Sequence, residues 1–339
     1  MTTRNILKYV KSTSDMGLLY GRDSSFILQG YSDADYGGDS DDRKSTSASA
    51  DSIAVSSRSG GLYFDSARFD LDLYFSRFLQ ILASMSRHFD KKPKILINTS
   101  TEMEPHAISS VSNMVDVCAI GPMLPEPATV AATLFDVDDK DYLHWLDTQP
   151  DDSVVYISFG SMRVLNKPEV EQIARGLKDT GRPYLWVLRR DSGSPDVEST
   201  PTAAEEAEGK RQGMVVEWCD QVRVLEHRAV GCFVTHCGWN STIEALAVGR
   251  VRMVGAPMWM DQATNAWLME KDWGIGVRAE VDQGGMLMAG ELRRHVDEVM
   301  GSEEMGSKAR QWKETLGRVA AEGRVKRRIM EFVKDISSD

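Results

Sequence analysis

Between His236 and Glu244 the chain places an imidazole, a glycine, an indole, an amide, a hydroxyl and a carboxylate in one short run, "HCGWNSTIE". The run directly follows the apolar stretch "GCFVT". An apolar stretch leading into glycine and short polar residues reads as a strand feeding a helix that begins at about Ser241. The first amides of a helix have no intrahelical acceptor, and its dipole favours negative charge there. Asn240 and Ser241 beside those amides, with Gly238 allowing close backbone approach and His236 as a further donor, would suit a diphosphate. "STIE" is also a capping box, in which Ser241 and Glu244 only satisfy the helix end. Taken by itself, the run leaves both readings open.

Two more polar groups stand at the ends of apolar runs. "EWCDQ" follows "GMVV" and supplies Trp218, Cys219 and Gln221; "MWMDQ" follows "VRMVGAP" and supplies Asp261 and Gln262. Trp218 could stack on a base or simply fill core, and Asp261 with Gln262 could be no more than a helix start. In a parallel sheet, however, the three strand ends would converge on one crevice.

The elements that must position these groups alternate from Asp151 onward. Apolar runs predict strands at "VVYISF", "YLWVLR", "GMVVEW", "GCFVTH" and "VRMVGAP". Helical spacing predicts helices over 166–181, 221–227, 241–249 and 261–274, and three more from Glu291 onward. Asn166 is placed to cap the first of these, with Pro168 in its first turn and Gly181 past its end. Such alternation implies the α/β class, a doubly wound parallel sheet covered by helices on both faces. Earlier in the chain, "LYFSRFLQILASMSRHF" has helical spacing, "PKILINT" reads as a strand, and residues 121–139 read as an extended loop. Residues 191–209 are a polar loop, and no internal repeat is visible.

Composition narrows the partners. The 339 residues carry a net charge of −11 with no lysine and arginine cluster, which argues against nucleic acid. Cys118, Cys219, Cys232 and Cys237 form no CxxC pair and read as reduced thiols. The opening "MTTRNILKYVKSTSD" has no apolar signal core, and no run approaches the ~20 apolar residues of a membrane span. The expectation is a cytoplasmic protein with no membrane partner. A dehydrogenase on the same kind of sheet is disfavoured because no G-x-G-x-x-G follows a strand.

The stretch "WCDQVRVLEHRAVGCFVTHCGWNSTIEALAVG…PMWMDQATNA" resembles the signature box of plant UDP-dependent glycosyltransferases of small molecules, enzymes of two facing Rossmann-like lobes (the GT-B fold). "PKILINTSTEMEP", "AIGPMLP", "SVVYISFGSM" and "ARGLKDTGRPYLWVLR" are similar to the same family, so the likeness covers about residues 62–339. The resemblance implies that Trp218 stacks on uracil, that Cys219 and Gln221 help hold base and ribose, and that Glu244 accepts from the ribose hydroxyls. It places His236, Asn240, Ser241 and Ser161 around the diphosphate, and Trp239, Asp261 and Gln262 on the sugar, with Gln262 pointing to glucose. It further implies UDP-glucose as donor and a small hydrophobic acceptor such as a flavonoid, phenolic or carboxylic acid, with no cofactor and no metal.

Three departures bear on that expectation. Where the family has Gly-Val-Pro, this chain reads Gly249-Arg250-Val251-Arg252, one residue longer, which a bulge or a register shift in the next strand could absorb. The tail "EGRVKRRIMEFVKD" differs from the family's small polar run before its last helix. The start differs most: residues 1–48 resemble a fragment of copia-type retrotransposon RNase H, with Asp33 at a metal-binding carboxylate position and Asp35, Asp39, Asp41 and Asp42 reading as a solvated loop. Residues 49–61 then read as a linker, 62–125 as a remnant of the acceptor lobe, and 126–339 as the UDP-sugar-binding lobe. His88, His106 and His144 do not match the family's catalytic histidine, so no catalytic residue is assigned. The alternative to a hexosyltransferase is therefore a catalytically inert, nucleotide-sugar-binding fragment.

Overall fold

Apolar runs without alternation belong to strands covered on both faces, and the computed structural model shows what covers them. Every residue of β4 (Val154–Ser158) and β7 (Val230–Thr235) is buried. Val155, Ile157, Cys232 and Val234 join a core cluster with Ile173, Leu177, Leu292 and Val296. Successive side chains of a strand point to opposite faces, so Tyr156 and Phe233 turn the other way; their rings stack with centroids 5.0 Å apart. Burial of each such large side chain contributes on the order of 1.5–3 kcal/mol.

The structure describes residues 18–19, 94–113, 115–123, 141–160, 163–188, 212–258, 261–282, 285–321 and 324–337. The expectations for the linker at 49–61, the helix at 73–89 with His88, the acidic loop around Asp33, the loops at 124–139 and 191–209, and Ser161 lie outside these residues.

The chain divides into two compact units, 1–126 with 259–264 and 314–339, and 127–258 with 265–313. In the second unit β5 (Tyr184–Val187), β6 (Gly213–Val216), β8 (Arg252–Gly255) and β9 (Gly276–Arg278) complete a six-stranded sheet in the order β6-β5-β4-β7-β8-β9. All its pairings are parallel. The chain steps outward from β4 to β6, then returns to the other side of β4 with β7. The strand order thus reverses between β4 and β7, the place where sheets of this kind hold ligands at their carboxyl ends.

In the first unit β1 (Leu18–Leu19) pairs antiparallel with β2 (Lys94–Ile97), and β2 pairs parallel with β3 (Asp116–Ala119). The connection from β2 to β3 carries α1 (Pro105–Val111). Later in the chain come α2 (Tyr142–Asp147) and α3 (Lys167–Thr180). The caps of α3 are those the sequence predicts. Asn166 and Glu169 form a reciprocal capping box, Pro168 sits in the first turn, and Gly181 follows at φ 64°.

The next helices are α4 (Gln221–Glu226) and α5 (Trp239–Val248), and α5 corrects the sequence reading. It begins two residues before Ser241, its N-cap is Gly238, and no side chain caps it. Ser241 and Glu244 therefore do not form the capping box that "STIE" spells. The extra residue near Arg250 also behaves differently from either expectation. Gly249 closes α5 at φ 60°, where a Cβ would fall 2.2 Å from the Cβ of Lys313. Arg250 and Val251 then make the turn, and β7 pairs with β8 without a break from Cys232↔Arg252 to Thr235↔Gly255. Arg250 bonds to Asp152 at 2.9 Å and to the carbonyl of Arg228. Those partners precede β4 and β7, so the insertion is absorbed at the amino ends of the strands, away from the candidate site.

Beyond β8 the chain forms α6 (Gln262–Trp267), a π-helical turn at Leu268–Asp272, and α7 (Ala289–Gly301), α8 (Glu303–Ala321) and α9 (Arg324–Ser337). The departing tail is α9, with Ile329 and Phe332 buried. Its Arg328 guanidinium donates to the carbonyl of Ala119, and the Cys118 thiol reaches the carbonyl of Arg328 at 3.9 Å. No helix among the described residues is long and apolar enough to cross a membrane.

Candidate functional site

Gln221 opens α4 and joins three parts of the second unit. Its Nε2 donates to Ser241 Oγ at 3.0 Å and to Glu244 Oε2 at 2.7 Å, both on α5. Its Oε1 accepts from the Tyr156 hydroxyl of β4 at 3.2 Å. That hydroxyl also lies 3.4 Å from Cys219 Sγ. Burial, and then the neighbouring Cys219 sulfur, hold the Tyr156 phenol well above its ordinary pKa, so it remains a proton donor. The loop that carries Trp218 is tied down as well. The Asp220 amide donates to the Tyr142 hydroxyl at 3.0 Å, and the Asp220 carboxylate accepts from the Arg223 amide at 3.1 Å, capping α4. Trp218 itself is half-buried at the end of β6.

The turn from β7 into α5 is held in a conformation that a residue with a Cβ rarely adopts. Cys237 sits at φ 63°. Its amide donates to Thr235 Oγ1 at 3.2 Å, and its carbonyl accepts from Asn265 Nδ2 at 3.0 Å. This fixes where His236 and Gly238 stand relative to the start of α5. His236, Asn240 and Ser241 are all buried there. Asn240 Nδ2 is buried with no hydrogen-bond partner among the described residues. A buried amide without a partner costs about 1–3 kcal/mol, a cost that an acceptor arriving at the helix start would remove. The indole of Trp239 is used for packing: it lies 6.3 Å from the ring of Trp273, which meets Trp312 edge-on at 6.1 Å.

Asp261 and Gln262 belong to the first unit. Gln262 is buried at the start of α6, and the charge of Asp261 acts on Glu104, a buried carboxyl of the same unit. Burial, with the Asp261 charge adding to it, raises the Glu104 pKa to about 7; a 2.5 Å hydrogen bond from Thr99 Oγ1 works the other way. His106 and His144 are exposed.

The structure thus brings Cys219, Gln221, Ser241 and Glu244 into one bonded group and sets His236, Gly238, Trp239 and Asn240 at the adjoining helix start. Sequence reasoning missed Tyr156, Tyr142, Thr235 and Asn265. Asn265 was findable, since it stands three residues beyond Gln262 inside the quoted "DQATNA". Tyr156 gave no signal, because it sits in an apolar strand and its partner is remote in the sequence.

Comparison with known proteins agrees with this architecture. Residues 61–305 match the family profile described as UDP-glucoronosyl and UDP-glucosyl transferase. UDP-glycosyltransferase 75B1 of Arabidopsis thaliana is 42% identical over 262 residues, 74% of this chain and 55% of the relative. An anthocyanidin 3-O-glucoside 5-O-glucosyltransferase of Verbena hybrida is 43% identical over 241 residues, 68% of this chain and 50% of the relative. Among solved structures, Os79 of O. sativa in complex with UDP superposes with a TM-score of 0.62 at 31% identity, covering 71% of this chain and 55% of that one. The chain spans about half the length of the relatives it matches. A family-profile match over residues 61–305, with relatives 42% and 43% identical over more than two thirds of the chain, leads to one conclusion: the chain belongs to the UDP-glucoronosyl and UDP-glucosyl transferase family.

Proposed function

We propose that the protein transfers glucose from UDP-glucose to a small hydrophobic acceptor of the flavonoid or phenolic kind, with inversion at the anomeric carbon. The observation that carries this reading is the bonded group Gln221–Ser241–Glu244 at the strand-order reversal, beside the start of α5. Glu244 is a carboxylate with acceptor oxygens for the ribose hydroxyls, and Trp218 offers a flat apolar face to uracil. The α5 amides, His236 and Asn240 receive the diphosphate, and the family resemblance assigns the hexose to Trp239, Asp261 and Gln262. In the transfer, the acceptor hydroxyl gives up its proton to solvent and its oxygen forms a bond to the anomeric carbon while the bond to the diphosphate breaks. Donors already aimed at the diphosphate stabilise the charge that develops as UDP leaves.

That matched relatives are named as a glycosyltransferase and a glucosyltransferase favours transfer over nucleotide-sugar binding alone. The anthocyanidin glucoside in one of those names supports a phenolic acceptor.

The test has two arms. Thermal unfolding with UDP or NAD added should show stabilisation by UDP only. Incubation with UDP-glucose and a panel of flavonoid, phenolic and carboxylic acceptors should yield a glucoside by chromatography. Equal shifts from both nucleotides would overturn the donor assignment. Stabilisation by UDP without any glucoside would overturn transfer.

A further inference from the structure

We propose that Tyr156 is a positioning residue for the nucleotide, setting through Gln221 the direction in which Glu244 meets the ribose. The inference rests on the reading of Glu244 as the ribose acceptor. A glutamine amide has two ends of similar shape and opposite hydrogen-bonding character, so its partners decide its orientation. At one end of Gln221 stand Ser241 Oγ at 3.0 Å and the Glu244 carboxylate at 2.7 Å. A carboxylate only accepts, so it demands the Nε2 end. At the other end stands the Tyr156 hydroxyl, 3.2 Å from Oε1. Tyr156 is itself buried, with its ring stacked on Phe233, and cannot follow a change of the amide. Cys219 Sγ at 3.4 Å holds the same hydroxyl from the loop after β6. A rigid donor on the sheet therefore fixes the amide, and the amide fixes one oxygen of Glu244. Without the hydroxyl, the Gln221 side-chain carbonyl loses its donor, and the hydrogen bond that holds Glu244 loses its anchor.

The Tyr156→Phe change removes only the oxygen and keeps the ring that packs on Phe233. Calorimetry on the full chain should compare UDP with 2′,3′-dideoxy-UDP, which lacks both ribose hydroxyls, for wild type, Tyr156→Phe, Glu244→Ala and the double variant. Wild type should prefer UDP by about tenfold or more, and Glu244→Ala should erase that preference. Tyr156→Phe should reduce the preference by roughly three- to tenfold while leaving dideoxy-UDP binding nearly unchanged. The double variant should be no worse than Glu244→Ala alone. Equal weakening of both nucleotides by Tyr156→Phe, or additive losses in the double variant, would show that the tyrosine only fills the core and would overturn the proposal. A preference that survives Glu244→Ala would overturn the ribose reading, and this inference with it. Should Tyr156→Phe fail to fold, Gln221→Ala breaks the same chain at a half-buried position; an undiminished preference there would equally overturn the proposal.

Discussion

A carboxylate taken out of water needs donors. Glu244 is 5% exposed and receives one from Gln221. Replacing it removes the acceptor proposed for the ribose, and the expected cost is about 1–3 kcal/mol of UDP affinity. Glu244→Ala measured by calorimetry, with folding verified by circular dichroism, checks this; unchanged affinity would leave Glu244 as a structural residue of α5. Gln262→His belongs to the same scale. It should alter the preference among UDP-sugars in competition binding while UDP affinity stays within about twofold, whereas a tenfold loss of UDP itself would remove Gln262 from the hexose. At this scale residue type was legible and role was not. "HCGWNSTIE" read both as a phosphate cradle and as a capping box, and the helix starts at Trp239, two residues earlier than the polar run suggests. That shift moves Ser241 from cap to third helical residue and frees it for Gln221. Tyr156 could not be read at all, because its hydroxyl meets Gln221 across 65 residues of sequence.

Long, strongly patterned elements were legible because local chemistry and tertiary burial agree there. The N-cap, first-turn proline and glycine end of α3 stand where Asn166, Pro168 and Gly181 predict, and the five apolar runs became strands. β3 and β9 were not legible: β3 opens on the exposed Asp116, and β9 is three residues long and ends on the exposed Arg278, so neither shows an apolar run, and they form because a neighbouring strand supplies their hydrogen bonds. The segment around α1 carries a feature with a measurable consequence. Glu104, at the start of α1, has its pKa raised by burial from 4.5 to about 7. The folded state then holds a proton that the unfolded chain releases earlier, so this contribution to stability is complete below about pH 4.5 and is lost as pH rises through about 7. The full loss corresponds to at most about 3 kcal/mol. Thermal unfolding should show Tm falling between pH 5 and pH 8, and Glu104→Gln, which cannot ionise, should flatten that fall. An equal fall in the variant would place the titrating group elsewhere.

At the scale of the molecule, the first unit carries β1 to β3 and the second carries the six-stranded sheet on which the proposed nucleotide site is built. The doubly wound sheet was legible from the alternation of strands and helices, since every apolar run had to be covered on both faces. The division of the chain was less so, because residues 259–264 and 314–339 group with the first unit although they follow much of the second in sequence. Within the second unit, the central claim is that UDP sits at the carboxyl ends of β4, β6 and β7, against the start of α5. Hydrogen–deuterium exchange with and without UDP tests that claim most directly. The account predicts added protection in the segments 217–222 and 236–241, with no change in the turn at Arg250 on the opposite edge of the sheet. Protection confined to other segments, or none at saturating UDP, would contradict it.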